Sequence, residues 1–150
     1  MSYLREIADA LADSLATVTW TPGTTAVYRR NWATFDVSEM ANPVIVVTPG
    51  GAEVSRVARL TTQFDYTATV FIGRHVETDG EIDSMVDLAD DVLRYIRAHD
   101  WSDVTWPAGV GKPQTVSVEI NPDDALNERN VWRAVIGVVY RAFKADELPV

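Results

Sequence analysis

The stretch Arg56–Ile96, RVARLTTQFDYTATVFIGRHVETDGEIDSMVDLADDVLRYI, decides the reading of this chain. From Leu60 the even positions are Leu60, Thr62, Phe64, Tyr66, Ala68, Val70 and Ile72, and the odd ones are Thr61, Gln63, Asp65, Thr67 and Thr69. Successive side chains of an extended chain point to opposite faces, so this alternation predicts a half-buried strand. Fully extended at about 3.3 Å per residue, the run from Arg56 to Gly73 would cover roughly 55 Å, against ~17–20 Å for an ordinary strand. Such a strand must bend or project beyond its domain. After Gly73 the period changes. Thr78 and Glu81 have capping-box spacing and Asp79 suits the positive end of a helix dipole, which predicts a helix starting near Asp79. Ile82, Met85, Val86, Ala89, Leu93 and Ile96 form its expected inner face, and Asp83, Asp87, Asp90, Asp91, Arg94 and Arg97 its solvated one.

Working outward, Ser2 is placed to cap a first helix in which Leu4, Ile7, Ala8, Leu11 and Leu15 recur at helical spacing. Thr17 to Thr25 reads as a turn-rich connection broken at Pro22-Gly23, and Ala26 to Arg30 as a short strand. Asn31 to Asn42 is a polar loop carrying Trp32, Phe35 and Met40. Val44-Ile45-Val46-Val47 is a continuous β-branched run, the pattern of a central strand covered on both faces, and Pro49-Gly50-Gly51 is expected to end it. Trp101 to Pro113, with two Trp, reads as an ordered loop packed by its aromatics. Val116 to Ile120 alternates as another strand, Asn121-Pro122-Asp123-Asp124 turns the chain, and Asn130 to Phe143 is a second long strand. The order predicts an α+β fold, two helices on a mainly antiparallel sheet of about four to five strands, with long strands projecting toward neighbouring subunits.

Composition narrows the chemistry. With 150 residues the chain fits one domain spanning 1–150, long enough to bury about 68–70% of the surface exposed when unfolded. It has no cysteine, which removes disulfides, thiolate nucleophiles and cysteine zinc sites. Asp and Glu outnumber Lys and Arg by 22 to 13, and the net charge of −9 opposes nonspecific binding to nucleic-acid phosphates. Glu6, Asp9 and Asp13 interrupt any signal-peptide pattern, and no apolar run approaches the ~20 residues of a membrane span. A soluble, unprocessed chain with no membrane partner is expected.

The suggestive motifs fail on spacing. Gly109-Val110-Gly111-Lys112 lacks the upstream Gly of a phosphate loop, where Trp106 stands, and the hydroxyl residue after Lys, where Pro113 stands. His75, Glu77, Asp79 and Gly80 imitate the start of a calcium loop, but position one is His, position twelve is Val86, and helix capping already accounts for Thr78 to Glu81. Asp90-Asp91 and Asp123-Asp124 are adjacent pairs, and neighbours on a helix point about 100° apart, which suits solvation better than a shared proton. His75 and His99 flank the second helix, roughly 36 Å apart if it is straight. Arg29-Arg30-Asn31-Trp32 resembles a small base-stacking patch, yet a strand end with Trp packed beneath a loop fits a −9 chain better. Trp32, Phe35, Trp101 and Trp106 are either local packing or interface anchors. No catalytic, cofactor or metal site is expected, and no enzyme.

The succession of an N-terminal helix from Leu4 to Leu15, Pro43-Val44-Ile45-Val46-Val47 ending in Pro49-Gly50-Gly51, the Thr61 to Ile72 strand, the Asp79 to Ile96 helix and a final strand pair resembles the tail terminator (minor tail, tail completion) proteins of long-tailed bacteriophages. The resemblance covers nearly the whole chain through pattern and length. It implies a homohexameric ring in the virion neck, assembled in the host cytoplasm, that caps the major tail tube protein, ends polymerisation and joins head-completion or connector proteins. DNA would pass through the lumen without specific binding, and no catalytic residue or cofactor comes with the family. Contact residues are expected at Arg30, Trp32 and Phe35, at Arg56 and Arg59, and at Asp123 and Arg129 in the Asn121 to Arg129 turn. The competing readings are another neck connector or stopper, a tube subunit, and a small enzyme or ligand-binding domain with a cleft near Trp101 to Lys112.

Overall fold

A computed structural model describes residues 2–32, 40–99, 101, 104–107, 109–120 and 130–145. In chain order its elements are α1 (Tyr3–Ala16), β1 (Ala26–Arg29), β2 (Val44–Ala58), β3 (Thr61–His75), α2 (Asp79–Ala98), β4 (Thr115–Ile120) and β5 (Val131–Ala145). They form an α+β fold with one five-stranded sheet in the order β1-β2-β3-β5-β4. Every neighbouring pair is antiparallel except β1 and β2, which run parallel.

Both helices begin where side chains replace missing backbone acceptors. The Ser2 hydroxyl accepts from Arg5 N–H at the start of α1, and Thr78 Oγ1 accepts from Glu81 N–H at 3.2 Å at the start of α2. Glu81 reaches back to accept from Glu77 N–H at 2.7 Å, one residue earlier than a strict capping box. The helices share a face of the sheet, with α1 against β1, β2 and β3 and α2 against β4 and β5. Ser14 and Tyr95 hydroxyls, 2.7 Å apart, tie the helices together.

The core lies between helices and sheet. Ile45 and Val47, then Tyr66, Ala68, Val70 and Ile72, then Trp132, Ala134, Ile136, Val138, Tyr140 and Ala142 join Ile7, Leu11, Leu15, Met85, Leu88, Val92 and Ile96 in one apolar cluster. The buried face of α2 is Met85, Leu88, Ala89, Val92 and Ile96. This corrects the expected stripe: Leu88 and Val92 belong to it, while Val86 is exposed and Leu93 half-exposed. Alternating apolar residues leave two plausible stripes on this helix, and docking against β5 selects the one containing Leu88.

Two boundaries also differ from expectation. Pro49-Gly50-Gly51 does not end β2, which runs on to Ala58 with register irregularities between Pro49 and Ala52 and between Arg56 and Ala58. Pro49 is tolerated because its missing N–H would face an edge: β1 pairs with β2 only as far as Val47, where Arg30 N–H donates to Val47 O at 3.0 Å. Gly50 is needed by close approach, since a Cβ there would fall 2.5 Å from Thr67 O. The second difference is that Arg56 to Gly73 is two strands. The chain reverses at Arg59-Leu60, and Leu60, assigned to the buried face by its parity, is 66% exposed in the turn. The length argument survives in altered form, because β2, β3 and β5 each span fifteen residues.

Candidate assembly interface

β2 and β3 bury their inner halves and uncover their outer ones, while β5 stays covered as far as Ala142 before Phe143 is exposed. In β2 Val44 to Thr48 are buried, while Gly50 to Ala58 are exposed throughout. In β3 full burial begins at Tyr66, with Thr61 to Asp65 only half-covered. β5 accompanies β3 to the end, Thr61 pairing with Ala145 and Tyr66 with Tyr140. Past the core these strands form a three-stranded arm. Aromatic packing marks its root: Tyr3 of α1 lies 5.6 Å from Tyr66, Phe64 stacks on Tyr66 at 5.8 Å, and Trp106 packs against Tyr140 at 5.0 Å.

Among the described residues the β2 edge of the arm is open, whereas Gly109 lies against the β5 edge, where a Cβ on it would fall 3.7 Å from Phe143 O. β1 leaves β2 after Val47, and β4 leaves β5 at Val139, where Gln114 N–H donates its last bond at 2.7 Å. Unpaired edge groups are templates for pairing with another chain unless something blunts them. Val54, Val57, Leu60 and Phe143 are large exposed apolar side chains on the same arm. Val54 to Leu60 also carries Arg56 and Arg59 and no acidic residue, giving it a charge of +2 in a chain of −9.

On the sheet face away from the helices, Arg141 grips Asp65 through two of its guanidinium nitrogens, Nε to Oδ1 at 2.9 Å and Nη2 to Oδ2 at 3.3 Å. Gln63 Nε2 adds a donor to the same carboxylate. The Arg141 hydrogen bond holds the Asp65 carboxyl below its ordinary value, and the carboxylate raises Arg141 in turn. This cross-strand clamp ties β3 to β5 where no helix covers them. Burial pushes the Tyr140 phenol well above its usual range, so it stays neutral.

The expected contact residues do not converge. Arg56 lies exposed on the outer part of β2 and Arg59 in the hairpin turn. Arg30 and Trp32 follow β1 at the shoulder where the β2 edge opens, about 30 Å from the turn at ~3.3 Å per residue. Arg30 sits 4.5 Å over the Tyr28 ring, while Arg29 pairs with Asp9 at 2.8 Å and donates to Asn31 Oδ1 at 3.1 Å, so both arginines have partners within the chain. Trp32 is 78% exposed, which corrects the reading of a Trp packed beneath a loop. Phe35, Asp123 and Arg129 lie outside the described residues. Trp101 and Trp106 resolve as local packing, 5.5 Å apart, with Trp101 buried and its indole N–H donating to Ile96 O at 3.2 Å. Val54, Val57 and Phe143 were not singled out in the sequence. The turn that would have flagged them contains no Gly, Pro or Asn and no residue of positive φ.

A surface groove of about 600 Å³ runs between α1 and residues 104–107. Ala10, Val104, Trp106 and Pro107 supply apolar surface, and Glu6, Asp9 and Asp13 its carboxylates. Glu6 Oε1 and the Trp106 indole Nε1 are shielded from solvent without a hydrogen-bond partner among the described residues.

No protein-family model matches the sequence, and no curated protein matches it. Among solved structures, the chain is similar to one from the virion of a native gene transfer agent particle, with a TM-score of 0.49 and 13% identity over 92% of this chain and 93% of that one. A likeness of this degree carries no weight for function.

Proposed function

We propose that this chain is a structural protein of a phage-like virion, with no enzymatic role. Its subunits form a ring, in the resembled family a hexamer, at the head-proximal end of the tail tube, end tube polymerisation and join the tail to head-completion proteins. The observation that carries this reading is the arm. Strands of fifteen residues run past the core, leave the β2 edge open among the described residues and set Val54, Val57, Leu60 and Phe143 in water. A monomer gains nothing from such surface, whereas adjoining subunits would bury it. A contact between different patches of identical chains closes into a ring when its rotation permits. The net charge of −9 would let DNA pass through a lumen without adhering. Arg59, Trp32 and Arg129 are the contact residues to substitute first.

The test is to mix the purified chain with polymerising tail tube protein and image the products. The proposal expects short tubes of uniform length with extra density at one end. Tubes that grow without limit, bare at both ends, contradict it. Self-polymerisation into tubes would identify a tube subunit, and binding only to portal-side proteins a connector or stopper.

A further inference from the structure

We propose that the β2–β3 hairpin tip of one copy seats in the groove between α1 and residues 104–107 of the next copy. This deepens the ring reading above and rests on it, naming the two patches that would meet. The tip presents Val57 and Leu60, 51% and 66% exposed, between Arg56 and Arg59. The groove presents Ala10, Val104, Trp106 and Pro107 beside Glu6, Asp9 and Asp13. Apolar surface therefore meets apolar surface, and +2 meets three carboxylates, of which Asp9 also pairs with Arg29. Glu6 Oε1 is a shielded acceptor for a guanidinium, and Trp106 Nε1 a shielded donor for a carbonyl of the incoming turn. The Trp106 ring face also suits an arginine.

The contact is between copies because of the arm's reach. The groove lies at the root, where Trp106 packs on Tyr140 and Tyr140 pairs with Tyr66. Leu60 is six residues outward from Tyr66, about 20 Å along a strand. The tip cannot fold back to its own groove while β3 stays paired with β5. Two different patches then join identical chains head to tail, the geometry from which a ring is built.

Charge reversal tests it on the full chain, with mass measured from micromolar to millimolar concentration, alone and with tube protein. Arg59→Glu and Asp13→Lys should each raise the concentration needed for assembly about tenfold or more. An equimolar mixture of the two should restore assembly, because each variant's altered patch fits the other and the unaltered patches fit as before. Since the chain has no cysteine, the double variant Arg59→Cys, Asp13→Cys supplies a second readout that does not depend on charge. Mild oxidation should link it into ladders longer than two chains, which disulfide geometry permits only if the Cα atoms approach within about 7 Å. Variants that assemble like wild type, a mixture that fails to recover, or absent ladders overturn this contact and leave the ring standing. A wild-type chain that stays monomeric even with tube protein overturns both.

Discussion

The inner and outer halves of the same three strands behave as different structures. Val70 and Ile72 on β3 pair with Ile136 and Ala134 on β5, all buried under α1 and α2. A few residues outward the pairing continues, Gln63 with Phe143 and Thr61 with Ala145, but Thr61 to Asp65 are only half-covered and Phe143 is exposed. Backbone hydrogen bonding, reinforced by the Asp65–Arg141 clamp, thus keeps β3 and β5 in register well past the core, and under the proposed function stability and assembly are separated along one sheet. The inner half should answer to substitution by losing the fold, the outer half by losing partners.

Leu88→Ala presses hardest on this contrast. It should cost about 2–5 kcal/mol in urea denaturation, since Leu88 is fully buried between α2 and the sheet. Gly50→Val tests the boundary between halves: its Cβ would fall 2.5 Å from a backbone oxygen, which no rotamer relieves, and about 1–3 kcal/mol should be lost as the strand pair shifts. Tyr95→Phe, which removes the hydroxyl 2.7 Å from Ser14, should cost about 1 kcal/mol.

The Asp65–Arg141 clamp gives a pH signature to the outer half. Its arginine depresses the folded-state pKa of Asp65 below the ordinary value of 3.8. The stabilisation is therefore complete above that ordinary value and is lost as pH falls through the depressed one. Asp65→Asn should abolish this part of the acid dependence, measured as urea midpoints between about pH 5 and pH 2. The smallest effect is expected from Leu60→Ser, within about 0.5 kcal/mol of wild type in stability. A large loss there would break the contrast, because it would place the turn within the monomer's cooperative core.

How legible this was in the sequence depended on whether a residue's own neighbours dictated its place. Both helix starts could be read from Ser2, Thr78 and Glu81, whose side chains act within one turn. The short strand near Ala26, the β-branched run at Val44 and the final strand were equally readable. Period-two patterning could not show that the chain reverses at Arg59-Leu60, because the turn uses ordinary residues in ordinary conformations and the alternation runs straight through it. Pro49-Gly50-Gly51 read as a terminator because Pro and Gly usually are; here the edge position of Pro49 and the close approach of Thr67 to Gly50 let the strand continue. The acidic groove was only half legible: a cleft near Trp101 to Lys112 could be read, but not its other wall on α1. Its walls come from α1 and residues 104–107, some ninety positions apart, and only the fold brings them together. The exposed Trp32 also needed the fold, since a loop tryptophan is as easily buried as bare.

The central claim is that the outer arm exists to be covered by other subunits. The measurement that reaches it most directly is the mass of the purified 16.6 kDa chain in solution, alone and after mixing with tail tube protein. A discrete closed oligomer, alone or at tube ends, is the predicted result. A chain that remains monomeric at every concentration and never joins a tube would contradict it.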